Sequence, residues 1–224
     1  NPLDLISYVR NVQNHRKEFD YLIVLVHSGI SGYPLPSPRL LETCRFFAEM
    51  GADAIICQHS HCPGCYEYYK SSYIVYGQGN FIFDWEPNPG DAWNKGFLIK
   101  LGVIEKGKHT IDLIPYVQSD ERIGARKISH AEERSFRREI EARSAAILAP
   151  DYIYQEWSKH CANLRSSYYK LLMFGHSNNR ITRKLIAASR LAERLYSRKH
   201  LLIVQNLMQC ESHREVLETI LMQE

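Results

Sequence analysis

The sequence predicts an α/β fold followed by a mainly helical C-terminal extension. Two short apolar runs, Tyr21 to Val26 and Ala54 to Cys57, flank a stretch of helical periodicity, which is the pattern of a βαβ unit. Two alternating segments, Gly96 to Ile104 and His109 to Val117, surround "EKGK" and read as an antiparallel hairpin turning at Gly107. Near Ser119 the sheet character stops, and apolar residues then recur at steps of three and four. Residues 1–118 and 119–224 are accordingly expected as two domains.

The elements follow in order. The opening "NPLDLISYVRNVQNHRKEFDY" reads as polar helix and not as a signal sequence. "YLIVLV" is six apolar residues rich in branched types, read as a strand covered on both faces and ending at His27-Ser28-Gly29. Ser37 as N-cap and Pro38 at the first helical position start a helix that presents Leu40, Leu41, Cys44 and Phe47 on one face and stops at Gly51. The second strand ends at Gln58, and "YEYYKSSYIVYG" reads as a strand or hairpin containing Tyr73 to Tyr76. Ser129 with Glu132 forms a capping box before "HAEERSFRREIEARSAAI". Ile153, Trp157, Cys161, Leu164, Tyr168 and Leu171 make one helical stripe, read as packing on the sheet domain; Ile181, Leu185, Ala188, Ala192 and Leu195 make another. A second capping box, Ser212 with Glu215, precedes Val216 to Met222.

Composition excludes several classes. No apolar run reaches the roughly 18 residues of a membrane helix. Residues 1–120 carry 10 Lys and Arg against 13 Asp and Glu, whereas residues 121–224 carry 18 against 12. Interleaved charge on helices reads as a solvated face, and Arg183, Lys184, Arg190 and Arg194 lie among acidic neighbours or on helix backs. Nucleic acid is therefore not the expected partner. Six cysteines in 224 residues are too few for a disulfide scaffold, so reduced thiols and a cytoplasmic location are expected.

The chemistry concentrates at strand ends. In an open α/β sheet, ligands gather beyond the carboxyl ends of parallel strands, where His27, His59 and His61 all fall. Two histidines one residue apart diverge on an extended chain, so a turn must aim both at one site or at two ions about 3.5–4 Å apart. These three imidazoles are the expected metal ligands, for Mn, Fe or Zn. Cys62-Pro63-Gly64-Cys65 has the spacing of a redox or zinc pair, yet there is no second such pair and no thioredoxin-like context. Its cysteines read as free thiols in a half-buried turn. "GQGNFIFD" allows two readings: Asn80 and Asp84 near the site, or turn glycines followed by a core "FIF".

"VLVHSG", "GADAIICQHSH" and "YEYYKSSYIVYGQGNFIFD", in that order, resemble the bacterial capsule-synthesis CapA family, also called poly-γ-glutamate synthesis proteins, over approximately residues 1–118. The resemblance implies the C-terminal half of a calcineurin-like metallophosphatase sandwich, with His27 and His59 on one ion, His61 on the other, and Gly79-Asn80-Phe81 as the family's G-N-F segment. It also implies departures. His27-Ser28-Gly29 stands where the family commonly has H-W-G, and Gln58-His59-Ser60-His61 replaces G-H-H-P-H. An Asp-bearing strand and an Asn-Asn-His element would lie upstream of Asn1, so this stretch by itself would lack bridging carboxylates and be inactive.

The expected function is metal-assisted hydrolysis of a phosphoester or related linkage in capsule or poly-γ-glutamate synthesis, using one or two divalent ions. His27, His59 and His61 would bind metal, and Asn80 would orient a ligand or substrate oxygen. The substrate would be an anionic polymer or phosphoester. A second expectation is a non-catalytic assembly factor whose helical extension docks a protein partner.

Overall fold

The computed structural model describes residues 4–15, 17–83, 91–105, 108–119, 123–174, 197–209 and 213. Helix α1 (Leu5–His15) leads to β1 (Ile23–His27), α2 (Pro38–Glu49) and β2 (Ala54–Gln58). β3 (Tyr66–Tyr69) and β4 (Ser72–Val75) complete a four-stranded sheet in the order β1-β2-β4-β3. β1, β2 and β4 run parallel, and β3 returns antiparallel beside β4. A short helix α3 (Asp91–Asn94) opens the second sheet, where β5 (Lys95–Glu105), β6 (Lys108–Gln118) and β7 (Ala125–Lys127) are antiparallel neighbours. Helices α4 (His130–Ala146), α5 (Tyr152–Phe174) and α6 (Arg198–Gln209) follow.

Local chemistry sets these boundaries. Ser37 accepts a hydrogen bond from the Leu40 amide at 3.2 Å, satisfying one of the donors a helix start leaves open, while Pro38 needs no such partner. Gly51, at φ +98°, ends the helix in a conformation that other residues resist. Ser129 caps α4 through the Glu132 amide.

The first core lies between α2 and one face of the first sheet, around Val26, Leu40, Cys44, Phe47, Ile55 and Ile74. Full burial of side chains such as Phe47 and Ile55 stabilises the fold by about 1.5–3 kcal/mol each. Val75, one residue beyond Ile74, belongs instead to a second cluster with Phe97, Val117, Phe136 and Ile140. This follows from strand alternation: neighbouring residues of β4 face opposite sides and so connect two cores. Glu67, almost fully buried on β3, takes both forks of Arg45 from α2 at 2.9 and 2.7 Å and the Tyr76 hydroxyl at 2.6 Å. The result locks the helix to the sheet.

The structure corrects three expectations about packing. Among the described residues β1 is covered on one face only: it stands at the edge of the sheet, and Ile23 and Leu25 are 44% and 72% exposed while Val24 and Val26 turn toward α2. An unbroken apolar run cannot distinguish these cases, because the same residues suit either. Sheet character also extends beyond Ser119, since β7 pairs with the end of β6. Finally, the stripe along α5 does not stay buried. Ile153 is in the core and Trp157 packs on Tyr33, but Cys161 is exposed and Tyr168 is 54% exposed.

The chain forms two compact units, Asn1–Trp157 and Ser158–Glu224, with β7 and α4 in the first. In the second, α6 exposes Leu202, Ile203 and Met208. No helix among the described residues is long and apolar enough to cross a membrane. The Gly107 turn, Asp84, Leu171 as a side chain, the stripe from Ile181 to Leu195 with its basic residues, and the Ser212 capping box lie outside the described residues.

Candidate functional site

Parallel pairing decides which histidines meet. The register sets His27, the last residue of β1, opposite Gln58, the last residue of β2, so the chain leaving β2 passes beside the His27 ring. That chain turns at once: His59 has φ +109° and His61 φ +56°. Left-handed backbone at a side chain other than glycine costs about 1–3 kcal/mol and persists where the surroundings fix it. Here Ser60, 3% exposed, supplies the fixing contacts. Its carbonyl accepts from the Gly32 amide at 2.8 Å, and its hydroxyl donates to the Cys62 carbonyl at 3.0 Å. His27 Nε2 consequently lies 3.1 Å from His59 Nδ1, and the His59 and His61 rings are 5.7 Å apart between centroids. His27 and His59 are exposed, and His61 is half-buried.

His61 belongs to a second, tighter arrangement. Its Nδ1 lies 2.8 Å from Asn80 Oδ1. The Asn80 amide nitrogen donates to the carbonyls of Trp93, at 3.1 Å, and His61, at 3.4 Å. With the amide oriented this way, Oδ1 faces His61 and accepts its Nδ1 proton, which assigns the tautomer and leaves a lone pair on Nε2. The Tyr116 hydroxyl donates to the Asn80 carbonyl at 2.9 Å, and burial pushes this tyrosine's pKa up to about 12. Gly79 makes the placement possible. At φ +81° it pairs with Gly96, whose Cα would be 2.9 Å from any added Cβ.

An aromatic wall stands on the other side of His61. Trp93 stacks on its ring at 5.0 Å and 22°, and Phe83 meets both rings at 5.5 and 5.2 Å. "FIF" is therefore not core: Phe81, Ile82 and Phe83 are 54%, 53% and 37% exposed. Gln118, fully buried at the end of β6, accepts from the Phe83 amide at 2.7 Å and donates to the Trp93 carbonyl at 3.2 Å. One side chain thus ties down both halves of the wall.

Cys62 and Cys65 are fully rather than half-buried, because Gly64 and Cys65 form hydrogen bonds to Gly77 and Tyr76 at 2.9 and 2.8 Å. Burial raises both thiols, Cys65 to about 12, so they are unreactive at neutral pH. The five described cysteines are free, including Cys44 and Cys57 with sulfurs 3.4 Å apart.

The donor set fits a metal in part. Two nitrogens bound to one ion at about 2.0–2.1 Å lie roughly 2.8–3.4 Å apart between octahedral and tetrahedral angles. The His27 and His59 nitrogens, at 3.1 Å, match this spacing. Among the described residues, however, no group of three or more His, Cys, Asp or Glu side chains forms a metal-holding set. The described donors are therefore a nitrogen pair, with His61 held beside it by Asn80.

Residues 2–85 match the family model described as bacterial capsule synthesis protein PGA_cap. Over that segment the chain is similar to this family. Its domain has the metallophosphatase-like fold, here represented by mixed α/β structure with helices following it. The chain is 28% identical over 118 residues to the capsule biosynthesis protein CapA of Bacillus anthracis, covering 51% of this chain and 28% of that protein. It is 30% identical over 83 residues to the PGA biosynthesis protein CapA of Bacillus subtilis (strain 168), covering 37% of this chain and 22% of that protein. The matches thus span under a third of each curated relative.

His27, His59, His61 and Asn80 all fall inside the PGA_cap segment, while Trp93, Tyr116 and Gln118 lie beyond it. Sequence reasoning missed these last three. Trp93 follows a proline- and glycine-containing stretch with no periodicity, and a glutamine closing an alternating strand looks like a surface residue. Only the second sheet's position reveals that they frame His61.

Proposed function

We propose that the PGA_cap segment supplies part of a metal-assisted hydrolytic site acting on a phosphoester, or a related acyl or peptide linkage, in the synthesis of an anionic capsule or poly-γ-glutamate polymer. The observation that carries this reading is the 3.1 Å spacing of His27 Nε2 and His59 Nδ1 beyond the ends of two parallel strands. Strained backbone at both His59 and His61 supports it, since such outliers cluster at functional sites. A divalent ion of Mn, Fe or Zn type, when bound, would act as a Lewis acid on a substrate oxygen.

The chain's own residues take distinct parts. His27 and His59 hold the ion through nitrogen. His61, protonated at Nδ1, presents the Nε2 lone pair either to an ion or as an acceptor to a water or hydroxyl proton. Asn80 orients the His61 ring instead of contacting substrate, because its amide oxygen and nitrogen are already engaged. Trp93 and Phe83 keep water from one side of that ring. Carboxylate donors from elsewhere in the intact protein would complete the set.

A second reading is a non-catalytic assembly role on a retained fold, with the helices after the sheets docking a protein partner. The apolar side chains Leu202, Ile203 and Met208 that α6 exposes support it. Elemental analysis of this chain after incubation with Mn, Fe(II) or Zn, beside His27→Ala and His59→Ala, tests the metal site. Turnover of aryl phosphoesters by the full-length protein tests the chemistry. Stoichiometric metal lost in both variants, together with turnover, is the expected result. Metal without turnover supports assembly, and metal content unchanged by either variant sinks the site assignment.

A further inference from the structure

A cavity of about 210 Å³ is lined in part by Cys62, Pro63, Ala92, Lys95, Glu139 and Arg143. We infer that this cavity is an oxyanion subsite, in which Arg143 and Lys95 hold a phosphate or carboxylate group of the substrate beside the histidines. Calling the anion part of the substrate rests on the hydrolytic reading above; anion binding itself does not.

The cavity touches the histidine site through two chain neighbours. Cys62 follows His61, and Ala92 precedes Trp93, whose ring stacks on His61. The lining and the histidine site thus share two stretches of backbone.

The charge is preset for an anion. Arg143 comes from α4 and is half-buried. Its Nη1 donates to the Pro63 carbonyl at 2.8 Å and its Nε to the Glu139 carbonyl at 3.2 Å. Both acceptors are neutral, so the guanidinium is held in a fixed plane without a carboxylate in either bond. A planar guanidinium with donors to spare recognises carboxylate and phosphate geometry. Lys95, at the start of β5, places a second cation on the lining. Glu139 is the one acidic side chain on the lining, and it is exposed to solvent; the exposed Glu132 carboxyl, held below its usual range first by the Ser129 hydroxyl, also feels the Lys95 charge. The volume admits several waters or one such group.

Inorganic phosphate and acetate are the probes, titrated calorimetrically into the metal-free 224-residue chain. Saturable binding is expected, weakened at least ten-fold by Lys95→Gln and by Arg143→Gln but retained in His27→Ala and His59→Ala. Preference for phosphate indicates a phosphoester group, and preference for acetate a carboxylate. Arg143→Gln also removes the bond to Pro63, so Lys95→Gln, which leaves that bond in place, decides the matter if the arginine variant unfolds. Failure of both anions to saturate, or binding lost in the histidine variants and kept in Lys95→Gln, overturns the subsite. Metal content of parallel samples incubated with Mn, Fe(II) or Zn separates the two failures: metal bound without anion binding removes the cavity alone, and anion binding without metal removes the hydrolytic reading alone.

Discussion

His61 Nδ1 and Asn80 Oδ1 lie 2.8 Å apart although 19 positions separate them in the chain. The contact fixes both the tautomer and the plane of the ring. Removing the second partner of a metal-binding histidine typically costs about 10–100-fold in metal affinity. Asn80→Ala is therefore expected to weaken binding by that factor if His61 is a ligand, read by competition against a chromophoric chelator. An unchanged affinity would place His61 outside the metal's reach.

Gly79 allows the Asn80 segment to lie against β5. Gly79→Ala should destabilise the fold by about 2 kcal/mol or more, combining an unfavourable φ of +81° with a collision against the Gly96 backbone. Gly124, at φ +127° with nothing within 4 Å of an added Cβ, is the control. Urea denaturation of the two alanine variants should show the larger loss at Gly79. Equal losses would mean that the close approach to β5 contributes nothing.

The Arg45 and Glu67 pair ties α2 to β3. Arg45→Met leaves the buried Glu67 carboxylate with the Tyr76 hydroxyl alone, at an expected cost of about 2–3 kcal/mol. This is below the range for wholly buried pairs because the Arg45 side chain is 30% exposed. Glu67→Gln keeps a hydrogen-bonding side chain and lets Arg45 turn to water, so it should cost less. The reverse ranking in equilibrium unfolding would contradict this account.

Stability should fall in alkali. Burial raises Cys65 from 9.0 and Tyr116 from 10.0 to about 12. Both groups are harder to ionise folded than unfolded. Their contribution is therefore full below about pH 9 and is lost as pH rises toward 12. Thermal melts between pH 8 and 11 should show a progressive decline, shallower in Tyr116→Phe. Under native conditions at pH 8, a thiol reagent should label Cys161 but spare Cys44, Cys57, Cys62 and Cys65. Rapid native labelling of Cys65 would contradict its burial.

Much of the frame was legible in order along the chain. The helix from Ser37 to Gly51 carried its own start and stop chemistry, the parallel strands announced themselves by short apolar runs, and the hairpin by alternation. The motifs containing His27, His59, His61 and Asn80 lie in the segment that is similar to the PGA_cap family, because local pattern and spacing are properties of sequence. Tertiary structure decided the rest. Whether Leu25 faces core or solvent depends on which neighbours its strand acquires. That Asn80 serves His61 and that Gln118 ties Phe83 to Trp93 depends on a second sheet arriving from 20 to 40 residues away. Such contacts depend on where whole elements pack, and no residue's own propensity records that.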